Sequence, residues 1–342
     1  MADSTQLLSC YDDALDALVT DAAACGPGDA IEAMVYLVEP GASSERLLEA
    51  LAAAAARGAR VRVAVDWTAG SHLARLVERT TTLLPRLEAL ARERPERVTV
   101  TRRRTPDHAK WFRFERPAGT SSAVLGSLNL GDRFRDWRDL ALRVAGREQV
   151  DALARALAGD GPDLRCAAPE QVAFVTNVPD RARWDVRPAL EGLLADPALV
   201  SLQMAMAYVD LTGAALLEAA LARGVRVDLT LPARANVYQQ ANLRAAARLL
   251  ARGARVRLVP GMLHAKALVA YDAAGPRAAW LGSPNLKRNS FRLFGELAAL
   301  VTEQAFVRDL ARALDALGRE ATPLARAPRY GWLRAVVEER LG

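Results

Sequence analysis

The tripeptide His-Ala-Lys occurs twice, in "DHAKWF" (107–112) and in "LHAKAL" (263–268), and each copy leads into Gly-Ser-x-Asn, "AVLGSLN" (123–129) and "AWLGSPN" (279–285). From His to Ser is 19 residues and from His to Asn 21, in both copies. The chain of 342 residues holds 3 His in all, and only three of its 46 basic residues are Lys, so two of each falling in one tripeptide is not drift. Equal spacing requires an equal path through equal secondary structure, which makes a duplicated fold the strongest constraint on this chain.

The flanking segments repeat the same grammar. "AIEAMVYLVEP" (30–40) reads as a strand, "SERLLEALAAAAARG" (44–58) as a helix capped by Ser44 and ended by Gly58, and "RVRVAVDW" (60–67) as a strand. Strand, helix and strand return at 199–209, 212–224 and 225–232. In each half another helix follows, then a strand just before the tripeptide, at 97–104 and 255–260. These βαβ crossovers predict an α/β fold, with mixed, largely parallel sheets flanked by helices. Gly and Pro cluster at 159–170, which divides the chain into repeats 1–160 and 161–342 related by a pseudo-twofold axis.

Composition narrows the setting. No stretch of about 18 uncharged apolar residues is present to span a membrane. The first residues lack the basic and apolar regions of a signal peptide, so the expected location is cytoplasmic, with the inner membrane surface in reach. Cys10, Cys25 and Cys166 show no metal-binding spacing and read as thiols in a reducing compartment; no metal or cofactor is expected. The net charge of +6 favours anionic partners: nucleic acid, acidic lipid headgroups or phosphorylated metabolites.

Each tripeptide opens a strand-like segment. Side chains two apart on a strand share a face, so His108 points with Lys110 and His264 with Lys266. Each following turn offers the Ser127 or Ser283 hydroxyl and the Asn129 or Asn285 amide as hydrogen-bond donors, here read as phosphate contacts. Two such half-pockets facing each other set an imidazole on either side of one phosphorus. One imidazole can attack, forming a phosphohistidine, while the other protonates the leaving oxygen and later deprotonates the acceptor. The Lys and Asn side chains stabilise the charge that grows on the phosphoryl oxygens. A nucleophilic His needs its other nitrogen held by an acid, and Asp139, 31 residues after His108, and Glu296, 32 after His264, are the two candidates.

These residues resemble the duplicated HxK...GSxN signature of the phospholipase D superfamily, and the resemblance runs over nearly the whole chain. "NLGDRFRDWRDLALRVAG" (129–146) and "GSPNLKRNSFRLFGELAALV" (282–301) are similar to the continuations of the motif in bacterial cardiolipin synthases. The resemblance implies two tandem phospholipase D-like repeats, and transfer of a phosphatidyl group to an alcohol or to water. Its partners would be a phospholipid and an anionic membrane surface, with His108 taking the covalent step and a monomer sufficing for the site. A nuclease acting on nucleic acid is the alternative within the same chemistry. Lys287 and Phe294-Gly295-Glu296 depart from the synthase pattern, as does the position five after each motif Lys, Glu115 and Tyr271.

Other features carry plainer expectations. His72 reads as a structural or surface residue. Arg102, Arg103 and Arg104 read either as a solvated strand end or as a contact for an anionic substrate or surface. Trp111, Phe112, Phe114, Phe134 and Trp137 read as core and pocket wall, or as an apolar entrance joined by Trp280, Phe291 and Phe294. In "RYGWLRAVVEERLG" (329–342), Trp332, Leu333, Val336 and Val337 fall at helical spacing and are expected to pack on the body, with a membrane surface as the other reading.

Overall fold

A computed structural model describes residues 4–66, 83–160 and 171–341. His72, Cys166, Trp67 and most of the Gly/Pro-rich boundary segment lie outside the described residues.

The first half runs β1 (Ser4–Leu8), α1 (Tyr11–Ala23), β2 (Ala30–Val35), α2 (Ala42–Ala56), β3 (Arg60–Val65), α3 (Leu84–Glu93), β4 (Val98–Arg102), β5 (Trp111–Glu115), β6 (Ser122–Gly126), β7 (Ala141–Ala145) and α4 (Arg147–Leu157). The second runs β8 (Val172–Val178), β9 (Arg183–Trp184), α5 (Val186–Ala195), β10 (Ser201–Met206), α6 (Leu211–Ala222), β11 (Arg226–Pro232), α7 (Gln239–Ala251), β12 (Arg255–Val259), β13 (Lys266–Tyr271) and β14 (Pro276–Gly282). It ends with α8 (Arg288–Arg292), β15 (Glu296–Val301), α9 (Gln304–Glu320), β16 (Thr322–Pro323) and α10 (Trp332–Leu341).

The duplication is visible in the strand order. One sheet runs β1-β7-β6-β5-β2-β3-β4, and the other contains β8-β15-β14-β13-β10-β11-β12 in the equivalent order, extended by β9 at one edge and β16 at the other. The fold is α/β with mixed sheets, but the expectation of largely parallel sheets is corrected. Parallel pairing is confined to β2-β3, β3-β4, β10-β11 and β11-β12, and the other pairs are antiparallel. Only the βαβ segments have the crossover helix that parallel pairing needs. The strand after each tripeptide returns against β2 or β10 and continues by shorter connections through β6–β7 or β14–β15.

Strand alternation distributes side chains between layers. Phe112, Phe114 and Val124 join the core beneath α1–α3, while Ala123 and Leu125 face a core shared by both sheets with α4 and α9. In the second half Leu268 and Ala270 face α5–α7, whereas Ala267 and Val269 enter the shared core. This dry contact between the sheets holds the two repeats as one body.

Helix α2 starts two residues before the predicted cap. Ala42 and Ser43 donate their backbone N–H groups to Asp132 at 2.8 Å each, so a carboxylate from the other end of the first repeat caps the helix, and Ser44 lies inside it. Among the described residues no helix is long and apolar enough to cross a membrane.

Candidate active site

Both tripeptides end against the facing repeat. His108 donates its backbone N–H to the Gly295 carbonyl at 2.8 Å, and Gly295 donates to Pro106 at 2.8 Å. The counterpart clasp has His264 donating to the Arg138 carbonyl at 3.0 Å and Arg138 donating to Met262 at 2.9 Å. Segment 137–139 of the first repeat therefore lies along the second tripeptide, and segment 294–296 of the second lies along the first.

The acids follow this crossing. His264 Nδ1 is 3.0 Å from Asp139 Oδ1, and His108 Nδ1 is 3.2 Å from Glu296 Oε2. Counting along the chain attaches each acid to the His of its own repeat; the structure pairs each with the His of the other. A carboxylate only accepts, so with both acids ionised Nδ1 carries the proton and Nε2 keeps its lone pair for chemistry. Aromatic rings cross with the acids: Trp137 lies against His264 at 5.0 Å between centroids and Phe294 against His108 at 6.0 Å. Tyr36, at 4.8 Å, flanks His108 from its own repeat.

The role predicted for the serines is corrected. Ser127 Oγ donates to Asp139 and Ser283 Oγ to Glu296, and both residues are fully buried. A hydroxyl has one proton to give, so these fix the orienting acids and do not meet a phosphate oxygen. The preceding glycines make the contact possible. A Cβ on Gly126 would stand 2.5 Å from the Leu140 carbonyl oxygen, and one on Gly282 would stand 2.3 Å from that of Leu297. Backbone cannot yield as a flexible side chain can, so Gly282→Ala is expected to destabilise the protein by about 2–4 kcal/mol and to reduce activity. A melting temperature equal to wild type would refute that.

The motif lysines lie beside the imidazoles. Lys110 and Lys266 donate to the carbonyls of His108 and His264 at 2.7 and 2.6 Å, which folds each ammonium back beside its imidazole. Asn285 is fully buried, and neither its amide nitrogen nor its oxygen has a hydrogen-bond partner among the described residues; the same holds for the Asn129 oxygen. Buried amides without partners are costly, and such groups are suited to binding a substrate.

Lys287 was not among the predicted site residues, yet it is nine-tenths buried and belongs here. Its ammonium lies 4.5 Å from the Tyr238 ring centroid and 5.3 Å from that of Phe294. All three lysines of the chain thus gather at one centre, and this was legible in the sequence, because an Arg-rich chain keeps only three. The equivalent position two residues after Asn129 is Gly131, with φ +142°, so the extra cation makes the two half-sites unequal.

Charge and burial set the protonation states. Burial lowers His108 well below the ordinary imidazole value, and Lys110, Lys266, Lys287 and His264 lower it further, which means that all five groups lie within electrostatic reach of one another. Burial also lowers His264, to about 4, against the opposing pull of Asp139. The acids part company. Burial raises Asp139, but His264, Lys266 and the Ser127 hydroxyl outweigh it and leave the carboxyl below its usual range. Burial drives Glu296 up to about 7, despite Ser283, Lys110 and Lys287. Lys266 is pushed well down by burial and by Lys110, so an arriving anion relieves several repulsions together.

The remaining expectations divide. Phe112, Phe114, Phe134, Trp280 and Phe291 are core residues, while Trp137 and Phe294 line the imidazoles. Arg103 pairs with Asp107 at 3.1 Å and Arg102 with Glu88 at 3.2 Å, so these two arginines have protein partners.

Residues 195–317 match the family described as "Cardiolipin synthase, PLD-like domain". No curated protein sequence matches the chain. Among solved structures, the phosphatidylserine synthase of Haemophilus influenzae Rd KW20 is similar with a TM-score of 0.70 at 13% identity, over 96% of this chain and 89% of that one. Yeast tyrosyl-DNA phosphodiesterase (an H182A mutant) is similar with a TM-score of 0.56 at 10% identity, over 88% and 89%. The polyphosphate kinase of Porphyromonas gingivalis gives 0.64 at 18%, over 95% of this chain but 48% of its own length. At such identities the likeness to these structures is one of fold. Residues 195–317 thus match a phospholipase D-like domain family, and the tandem fold that carries the duplicated motif is similar to that of the solved phosphatidylserine synthase and tyrosyl-DNA phosphodiesterase.

Proposed function

We propose that the protein is a phosphatidyltransferase or phospholipase acting on glycerophospholipid phosphodiesters through a phosphohistidine. The observation that carries the reading is the pair of crossed His–carboxylate contacts with three lysines around them. The cardiolipin synthase-like match over 195–317 favours lipid over nucleic acid as the substrate.

His108 serves as the nucleophile. Its Nε2 lone pair attacks phosphorus, the P–O bond to the leaving alcohol breaks, and His264 Nε2–H protonates the departing oxygen. An acceptor alcohol or water then gives its proton to His264 as its oxygen attacks the phosphohistidine, the P–N bond breaks, and His108 is regenerated. The ionised Asp139 favours the cationic form of His264, which suits that residue to the acid–base role. Lys110, Lys266, Asn129 and Asn285 hold the phosphoryl oxygens in the transition state.

One proton must be present in this cluster before the leaving group can depart. In the free protein it resides on Glu296, whose carboxyl holds it up to about pH 7. The anionic phosphodiester raises the imidazole affinities and draws the proton onto His264. That proton is lost as pH rises, so kcat/KM should fall above about pH 7, and Glu296→Gln should remove or displace this alkaline limb. An unmoved limb in the variant would exclude Glu296 as the group that titrates.

The direct test is mass spectrometry of products from phosphatidylglycerol vesicles, with His108→Ala as the control. Cardiolipin plus glycerol from the wild type alone means transfer to a lipid alcohol; phosphatidic acid means transfer to water. Unchanged lipid, with cleavage of nucleic acid instead, would overturn the reading.

A further inference from the structure

Helix α10 is amphipathic in the wrong sense for a helix that packs on the body. Its polar side faces inward: Glu338 Oε2 accepts the backbone N–H groups of Gln240 and Ala241, at 2.8 and 3.0 Å, in the first turn of α7. Glu339 pairs with Arg244 at 3.0 Å, and the small Ala335 is the buried apolar residue of the contact. The apolar residues face out. Trp332 is 62% and Leu333 70% exposed, with Val337 and Tyr330 beside them. Of the six large hydrophobics exposed among the described residues, these are four, and a fifth, Leu293, adjoins the Phe294 that lies against His108. The expectation that Trp332, Leu333 and Val337 pack on the body is therefore corrected, because the carboxylates on the opposite side claim the N-terminus of α7.

We infer that this outward face is the surface by which the protein docks on an anionic bilayer. Charge selects that occupant: Arg326, Arg329 and Arg340 are exposed around the apolar residues, as is Arg334, which pairs with Glu338 at 3.1 Å, while the acids of the helix itself, Glu338 and Glu339, are turned inward. Exposed Trp and Leu ringed by Arg is the composition of an interfacial helix on acidic lipid. The helix is also tied to the site. It caps α7, the residue before α7 is Tyr238, and the Tyr238 ring lies under Lys287, which contacts Phe294. Docking through α10 and Leu293 brings the bilayer to the rim of the proposed lipid site, and in this the inference rests on the function proposed above.

The test is co-sedimentation of the full chain, and of Trp332→Ser/Leu333→Ser, with vesicles of equal phosphatidylglycerol and phosphatidylcholine or of phosphatidylcholine alone. Wild type should partition onto the anionic vesicles and lose that binding at high salt. The double variant should partition at least about ten-fold more weakly, yet turn over sub-micellar dihexanoyl-phosphatidylglycerol at the wild-type rate. Equal sedimentation of both proteins overturns the inference, as does a dimer that the double variant dissociates without any wild-type vesicle binding, since a second copy would then cover the face. The two readings fail separately. Vesicle binding that depends on Trp332 and Leu333, with no lipid turned over, leaves the docking surface standing and removes the lipid enzyme; turnover with equal binding does the reverse.

Discussion

Replacing either His108 or His264 with Ala is expected to lower kcat by on the order of 10⁴-fold, and the double substitution to lower it little further. In the proposed mechanism the two imidazoles act together on one phosphorus, so losing one leaves the other without a partner, and the effects do not add. Each ring is buried, and each removal leaves a carboxyl without its partner, so a loss of about 1–3 kcal/mol in stability accompanies the change. His108→Asn and His264→Asn, which retain an amide near the Nδ1 position, separate activity from folding. The check is a rate with a soluble phosphodiester beside a melting curve for each variant. A folded His108→Ala protein working at a near wild-type rate would falsify the two-imidazole mechanism. Trapping the phosphoryl group on His264 instead of His108 would keep the mechanism and exchange the roles.

The crossed acids give the second large effect. Asp139→Asn should lower kcat by about 10²–10⁴-fold, because an amide in place of the carboxylate no longer enforces the Nδ1–H tautomer. The consequence falls on His264, which lies in the other repeat. Nitrogen-15 spectra of the imidazoles, tractable with 3 His in the chain, should show the tautomer or acidity of His264 disturbed and that of His108 unchanged. Glu296→Gln should do the converse. Loss of Asp139 also removes what holds the His264 imidazole up against burial, so its already lowered value of about 4 should fall further. If Asp139→Asn perturbs His108 alone, the acids serve their own repeats and the crossed arrangement is wrong.

Much of this site can be read in the chain because its chemistry is written in rare residues at repeated distances. Two imidazoles and two amines at equal spacing from Gly-Ser-x-Asn marked His108, Lys110, Asn129, His264, Lys266 and Asn285; the structure sets the two imidazoles and their lysines within electrostatic reach of one another and buries both asparagines. The βαβ periodicity likewise delivered the parallel parts of both sheets. Direction was harder to read. An apolar strand such as β6 or β14 looks the same whether it pairs parallel or antiparallel, and only its neighbours in the sheet decide.

Local sequence determined that there are two half-sites and what each contains. Only the tertiary structure decided which acid serves which histidine, what the serines bond, and which way α10 faces. The reason is physical. Spacing constrains side chains that share a strand or a turn, whereas Asp139–His264, Glu296–His108 and Glu338–α7 join segments far apart in the chain, and the packing of the two repeats across their shared core decides those contacts.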